Sequence, residues 1–445
     1  MVKYMKSLPP KLKPVIEIRD PVHGYIELTE IEKNLIDTVT FQRLHNIRQL
    51  AGAYYVYPGA DHTRFIHSIG VAHVAGLYGS HLMELGYLDI DEVQAIRIAG
   101  LLHDIGHGPF SHLYEELAVR YIGKTHEDLT VWLIRESELA DILKDFGYDP
   151  KKIAELAIGM LKNGKEFMNH IISSAFDADK LDFLVRDSLF TGVEYGYIDI
   201  QRIVSSSDVI DNMLCVRVPA AAHALESLFI ARYEMFKAVY FHRTVRICEV
   251  MLLKSMELAH EYIGLFDFKE PEEYILLDDD WVLTKLKELC LVDEKKLSKE
   301  EKEAVKLFKM LQARKLLKCV YETYLHLHDP LLADILSRPD VKLRIEREIA
   351  EKARVPEDCI FVDTPSVPSL PYTPRMRRPF IIPVFKIVNG KKILYNFLEE
   401  SIVLERLKGY IDIARVYTYP KYRSVVEKVA RKILGSPSAL LSISL

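Results

Sequence analysis

Two successive stretches of helical periodicity constrain this chain more than anything else in it. Thr63 to Leu85 places Phe65, Ile66, Ile69, Ala72, Leu77 and Leu82 along one side, and Asp91 to Ile105 repeats the pattern with Val93, Ile96, Ala99 and Leu102. The second stretch opens at an Asp and stops before Gly106, so both ends carry boundary residues. Two apolar stripes joined by a short connection must bury against other helices, which predicts a mainly α core. Further helices are expected over His126 to Glu136, Ile171 to Arg186, Ala220 to Ile263 and Trp281 to Leu317. The last of these carries the charge run DEKKLSKEEKEAVK, read as a solvated face.

Strands are expected only at the ends. VIEIRDPVHGYIEL, residues 15 to 28, alternates and breaks at Pro21 and Gly24, as a short hairpin would. After about residue 350 a proline-rich stretch, TPSVPSLPYTP, precedes FIIPVFKIV, Asn389-Gly390 and KKILYNF. An Asn-Gly between two apolar runs is a strong hairpin signal. A strand at Ala414 to Tyr419 and a helix from Lys421 to Leu434 complete a small α+β C-terminal domain. The expected partition is a catalytic core over residues 1 to 265, a helical extension over 266 to 350 and the α+β domain over 351 to 445.

Bulk composition removes several classes of function. A net charge of -5 provides no basic field for nucleic-acid backbone, so any polyanion must meet a local cationic pocket. The five cysteines are scattered without a C-x-x-C pair, which argues against a disulfide framework and a cysteine zinc site and fits a reducing compartment. MVKYMKSLPPKLKP has no apolar signal-type stretch, and no run is long enough to span a bilayer, so a cytoplasmic protein is expected.

The chemistry is signalled by histidine density. Half of the sixteen histidines fall between positions 62 and 126. A single histidine beside a helix is more often packed than liganding, but a crowd is not. In AGLLHDIGHGPFSH, His103 and Asp104 set an imidazole and a carboxylate side by side, a donor pair suited to a borderline divalent ion such as iron, manganese or zinc. His67 in TRFIHS and Asp179 in FDADKLDFLVRD are the candidates for the remaining ligands. Asp179, Phe183 and Asp187 fall at i, i+4 and i+8 and share a helix face; Arg232, Phe236 and Tyr240 repeat that spacing, with Arg243 one turn further on. Convergent cations beside a metal would bind phosphate oxygens. Gly123-Lys124-Thr125 ends like a P-loop, but Ala118 stands where that motif needs a glycine and no strand leads into it. Metal-assisted attack by water is the economical mechanism.

Taken in order, FQRLHNIRQLAGAYYVYPGADHTRFIHSIGVAH, AGLLHDIGHGPFSH, THE and DADKLDFLVRD resemble the HD-domain deoxynucleoside triphosphate (dNTP) triphosphohydrolases. The resemblance covers roughly residues 16 to 250 and is nearest the branch holding the SAM- and HD-domain vertebrate enzyme and its bacterial relatives. It implies an HD-domain helical core, a homo-oligomer (dimer or tetramer), and cleavage of dNTPs to deoxynucleoside and triphosphate, with Mg or Mn accompanying the substrate. By motif position, His67, His103, Asp104 and Asp179 would hold the metal, and Arg64, His107, Lys180 and Arg232 would contact the triphosphate. His112 would be the general acid, tuned by His126, Glu115 and Glu127. Gln49, Leu50, Asp187 and Tyr240 would form the sugar pocket, where Phe183 stands in place of the family's usual Tyr. Of a guanine-nucleotide effector site, Asp37, Gln42 and Arg43 match, whereas Ile16 replaces a Lys and His45 an Arg, so weak or absent activation by GTP-like effectors is expected. Two rival readings remain: an HD-type nucleotide phosphatase or phosphodiesterase, and a nucleotide- or RNA-binding regulator with a degenerate site.

Overall fold

The computed structural model describes residues 12–325, 338–368, 381–407 and 410–435. Part of the proline-rich stretch, residues 369–374, and Phe380 of the following run lie outside the described residues. The fold is mainly helical, with a short N-terminal hairpin and small sheets. Where the sequence suggested three consecutive parts, the chain forms two compact units, each assembled from separated stretches. The first holds Met1–Arg232, Gly264–Leu283 and Pro371–Glu405; the second holds Tyr233–Ile263, Thr284–Leu370 and Arg406–Leu445.

The first unit opens with β1 (Ile16–Asp20) and β2 (Gly24–Leu28), an antiparallel hairpin. Asp20 caps its turn by accepting the backbone N–H groups of Val22 and His23, each at 2.8 Å. Helices α1 (Glu30–Ile36) and α2 (Val39–Gln42) lead to α3 (Arg64–Glu84) and α4 (Ile90–Leu102). α3 is buried on nearly every side, including His67, Ser68 and His73, so it is the unit's central helix and not an amphipathic surface one. α4 can cross it closely because Gly100 meets Ala75 and Ala72, where any side chain would press on α3 backbone. There follow α5 (His112–Ile122), α6 (His126–Glu136), α7 (Glu138–Asp145), α8 (Pro150–Ala157), α9 (Phe167–Ile172), α10 (Ala178–Thr191) and α11 (Ile200–Ser205). Gly123 closes α5 in the left-handed conformation and Thr125 caps α6, so the P-loop-like tripeptide is a helix-to-helix turn.

The expected helix over Ile171 to Arg186 is broken. Asp177 accepts the Lys180 N–H at 2.7 Å and starts a new helix, α10, which therefore runs on to Thr191. The expected helix over Ala220 to Ile263 is also divided, into α12 (Ala222–Met235), a π turn over Phe236–Tyr240, and helices Arg243–Leu258 and His260–Ile263. A π turn holds one more residue than an α turn, so four-residue spacing no longer stacks side chains there. Phe236 and Tyr240 still touch edge-on, with ring centroids 4.9 Å apart.

β3 (Ser207–Ile210) and β4 (Met213–Arg217) pair antiparallel, and β4 pairs parallel with a later strand. In the second unit β5 (Lys318–Leu325) stands where helix was expected to end, and β6 (Ile360–Asp363) and β7 (Ser366–Pro368) follow. The Asn389-Gly390 hairpin forms as expected between β8 (Pro383–Val388) and β9 (Lys391–Asn396), both turn residues at positive φ. It does not join the C-terminal strand, however. β8 extends the first unit's sheet in the order β3-β4-β8-β9, whereas β10 (Tyr410–Thr418) is central to the second unit's sheet, between β5 and β6. Helices Pro339–Ala353 and Arg423–Leu434 cover that sheet through Ile349, Ala350, Val426 and Ala430, which pack on Val320, Ile360 and Val416. The helix expected over Trp281 to Leu317 is two, Asp279–Leu289 and Lys299–Gln312, divided by a turn and the Ser298 cap. No helix among the described residues is long and apolar enough to cross a membrane.

Candidate active site

Three helices of the first unit deliver the site. α3 begins at Thr63, and its first turn buries Arg64 and His67. α4 ends at Leu102, and the chain leaves it through His103, whose Nδ1 donates to Gly100 O at 2.8 Å. α10 carries Asp179 in its first turn.

The tautomer of each histidine follows from these contacts. His67 Nδ1 lies 2.8 Å from Asp182 Oδ2, and a carboxylate only accepts, so the proton sits on Nδ1. The same argument at Gly100 O fixes His103. In the neutral imidazoles both Nε2 atoms therefore present lone pairs; both are buried, and neither has a hydrogen-bond partner among the described residues. What surrounds them is negative. Asp179 Oδ1 is 3.1 Å from His67 Nε2 and 3.7 Å from His103 Nε2; Asp104 oxygens are 3.6 Å and 3.3 Å from the same two atoms. Lone pairs facing carboxylates repel unless a positive charge stands among them. The electrostatics register that demand: burial alone would lower the His67 pKa, but Asp179, Asp182 and Asp104 outweigh it and raise it to about 10. Asp179, against the pull of burial, is held well below the usual carboxylate range by His103 and His67.

Donor atoms of His67, His103 and Asp179 all lie within 4.8 Å of one another, with Asp104 beside them. Two imidazole nitrogens and hard carboxylate oxygens suit iron, manganese or zinc. The backing is equally built. Asp182 is wholly buried, receives His23 Nε2 at 2.6 Å and both Nε and Nη2 of Arg186 at 2.8 Å, and Arg186 is in turn held by Asp20 at 2.7 Å. α3 approaches this network at Gly70, where a Cβ would stand 2.0 Å from Asp182 Oδ1.

His107, His112 and His126 form a second histidine group of similar spacing. His107 and His126 stack with centroids 4.1 Å apart and planes 12° from parallel. A ligated metal lies in the plane of each imidazole that binds it, and near-parallel planes do not meet on one ion, so this trio is not a metal cage as it stands. Glu115 organises it instead. Its Oε1 accepts His126 Nδ1 at 2.5 Å and its Oε2 accepts His112 Nδ1 at 3.0 Å. Burial would lower the His126 pKa, but Glu115 raises it on balance. The His112 side chain is 71% exposed, open to a ligand, and Glu127 sits on the first turn of α6 beside His126.

Arg64 donates Nε to Ser111 Oγ at 2.7 Å and pairs with Asp104 through Nη1. Lys180 reaches Asp177, the cap of its own helix, at 2.7 Å. Asp187 is buried and receives His62 Nε2 at 2.8 Å, while the backbone of His62 holds Gln49, whose Oε1 is buried without a partner among the described residues. Leu50 and Phe183 are partly exposed, and Arg232 is buried near the end of α12. Tyr240 belongs to the second unit, in the π turn. Sequence reasoning missed Asp182 and His62. Asp182 lies off the four-residue stripe of Asp179, and the packing of α3 on α10 brings it to His67.

At the candidate effector position, Asp37 pairs with Lys33 and Gln42 donates to Ile36 O. Arg43 is buried, its guanidinium donating to the carbonyls of Ile105, His107 and Leu277. His45 stacks on Phe65 at 3.6 Å, and Ile16 is exposed on β1.

Residues 64–194 match the HD domain and residues 198–439 the HD associated region. The chain is 35% identical over 277 residues to the deoxynucleoside triphosphate triphosphohydrolase SAMHD1 homolog of Dictyostelium discoideum, an alignment covering 59% of this chain and 53% of that protein. It is 32% identical over 350 residues to the deoxynucleoside triphosphate triphosphohydrolase SAMHD1 of Homo sapiens, covering 69% of this chain and 55% of that one. The chain thus spans about half the length of these curated relatives. A hypothetical protein from Aquifex aeolicus has a similar solved structure, with TM-score 0.71, 29% identity, and coverage of 92% of this chain and 99% of that one. Matched in succession by the HD domain and its associated region, the chain belongs to the HD-domain phosphohydrolase family, with SAMHD1 and its bacterial relatives among its homologues.

Proposed function

We propose that this protein hydrolyses dNTPs at the α-phosphorus, releasing deoxynucleoside and inorganic triphosphate. The observation that carries the reading is the pair of buried Nε2 atoms of His67 and His103, without a hydrogen-bond partner among the described residues, facing the carboxylates of Asp104 and Asp179. When bound there, a divalent iron, manganese or zinc ion would supply a Lewis acid for a phosphoryl oxygen and lower the pKa of the attacking water. The protein's own residues supply the rest. Arg64, His107, Lys180 and Arg232 bind triphosphate oxygens, which arrive with their own Mg or Mn. His112, with Nδ1 held by Glu115, presents Nε2 to protonate the departing 5′-oxygen, and His126 and Glu127 set the charge around it. Asp187 accepts the sugar 3′-hydroxyl, while Gln49, Leu50 and Phe183 pack the deoxyribose.

Similarity to the SAMHD1 triphosphohydrolases supports this choice over a monophosphatase or phosphodiesterase on the same four ligands. The reading extends to a cytoplasmic homo-oligomer, a dimer or tetramer. A metal analysis of the purified protein, coupled to a panel of dNTPs and NTPs with Mn or Mg, tests it. Release of triphosphate from dNTPs supports it; release of orthophosphate alone refutes it, and no turnover of any nucleotide favours a regulator with a degenerate site.

A further inference from the structure

The loop that bears the HD dipeptide runs from His103 to His112, and a separate part of the first unit grips it at several points. Tyr274 donates its hydroxyl to Gly106 O at 2.8 Å. Arg43 donates to His107 O at 2.8 Å while Leu277 O holds its Nε and Nη2 at 3.1 and 2.9 Å, and its guanidinium lies over the Tyr274 ring at 4.7 Å. Asp279 Oδ1 accepts the Phe110 N–H at 2.6 Å, and its Oδ2 accepts Arg48 N at 3.1 Å and Arg48 Nη1 at 3.2 Å.

The point that Asp279 grips is strained. Phe110 and Ser111 are successive non-glycine residues at φ 56 and 55, a costly backbone conformation that persists only where its surroundings over-determine it. Ser111 then connects the strained turn to the reaction centre: its Oγ donates to Arg48 O at 2.9 Å and accepts Arg64 Nε at 2.7 Å, and Arg64 pairs with Asp104. Hydrogen bonds therefore run without interruption from Asp279 through Arg48, Ser111 and Arg64 to a metal-ligand candidate.

We infer that the segment Tyr274–Asp279, within the HD-associated region, is a strap that sets the conformation of the catalytic loop, and that Asp279 is a positioning residue for Arg64 and His112. It acts only through these groups. Its wholly buried carboxylate is matched to the task, because both oxygens must accept. An Asn there keeps one acceptor for Phe110 and turns an NH2 toward the Arg48 donors. The consequence for turnover rests on the reaction proposed above; the consequence for the loop does not.

The test uses the metal-loaded 445-residue chain, with Asp279→Asn and Tyr274→Phe as variants. Asp279→Asn is expected to raise amide exchange across residues 105–111 about tenfold while α3 stays protected, and to lower kcat about tenfold with KM within about threefold. Tyr274→Phe, which loses one hydroxyl, is expected to do the same more weakly, by about threefold. Unchanged loop exchange in both variants overturns the inference, as does faster exchange with full kcat. If Asp279→Asn fails to fold, Tyr274→Phe alone decides by the same two readouts. If the wild type releases no triphosphate, the proposed reaction falls, and exchange of the loop still decides whether the strap exists.

Discussion

Replacing Gly70 by Ala separates the helix from the network behind His67. In an exposed helix interior the change would stabilise by about 1 kcal/mol, because Ala is the better helix former. Gly70 is wholly inside α3, and the new methyl would stand 2.0 Å from Asp182 Oδ1, 2.3 Å from Arg186 Nη2 and 2.7 Å from Asp182 Cγ. None of these atoms can yield cheaply, since Asp182 is fixed by His23, His67 and Arg186 at once. Forcing a methyl into a packed core costs about 1–3 kcal/mol, and displacing one member of a buried ion pair about 3–5 kcal/mol. After the local gain of about 1 kcal/mol, the net expectation is a loss of about 3–7 kcal/mol. With Asp182 displaced, His67 loses the acceptor that fixes its tautomer, and metal affinity falls about 10- to 100-fold. Urea unfolding with and without metal, beside a metal titration of Gly70→Ala, measures both. A variant as stable as wild type that binds metal as tightly would show that the methyl does not displace Asp182, because only the helix propensity gain would then be operating.

Further outcomes follow from the same contacts. Asp179→Ala removes a ligand and a charge facing two histidines, so its metal content should fall below half of the wild-type value by elemental analysis; full occupancy would exclude Asp179 as a ligand. Burial, against the hydrogen bonds from Phe110 and Arg48, pushes the Asp279 carboxyl up to about 6 from an ordinary 3.8. A folded value above the unfolded one means that its contribution to stability is full below about pH 4 and is lost as pH rises through about 6, by about 3 kcal/mol. The stability difference between wild type and Asp279→Asn should therefore move in the variant's favour by that amount from pH 4 to pH 8, and a constant difference would contradict the assignment. At the candidate effector position, Ile16 and His45 stand where cations are expected and the Arg43 guanidinium is spent on three carbonyls. Adding GTP or dGTP should raise the rate of dNTP hydrolysis less than about twofold; a large activation would show that other residues bind the effector.

What was legible in the sequence was local. The helix over His126 to Glu136 and the body of α3 follow from apolar spacing and cap residues, and the Asn389-Gly390 hairpin from its turn chemistry. The metal-ligand candidates were legible because His103-Asp104 and Asp179 sit in short motifs whose residue types have few other uses. Periodicity carries no address, however. Nothing in KIVNGKKI says that β8 will lie beside β4, more than 160 residues earlier, and not beside β10. The break before α10 depends on which of several Ser and Asp residues caps the helix, and the π turn over Phe236–Tyr240 has no spacing signature of its own. Asp182 and Asp279 were illegible for the same reason: the contacts that tie each to the site, His67 to Asp182 and Phe110 to Asp279, join residues more than a hundred positions apart.

For the proposed hydrolysis at the α-phosphorus, the fate of the water oxygen is decisive. Metal-loaded protein turned over on a dNTP in 18O-water should yield unlabelled deoxynucleoside and triphosphate carrying one 18O on a terminal phosphorus. Label in orthophosphate or pyrophosphate, or in the nucleoside hydroxyl, would exclude attack of water at the α-phosphorus with release of triphosphate.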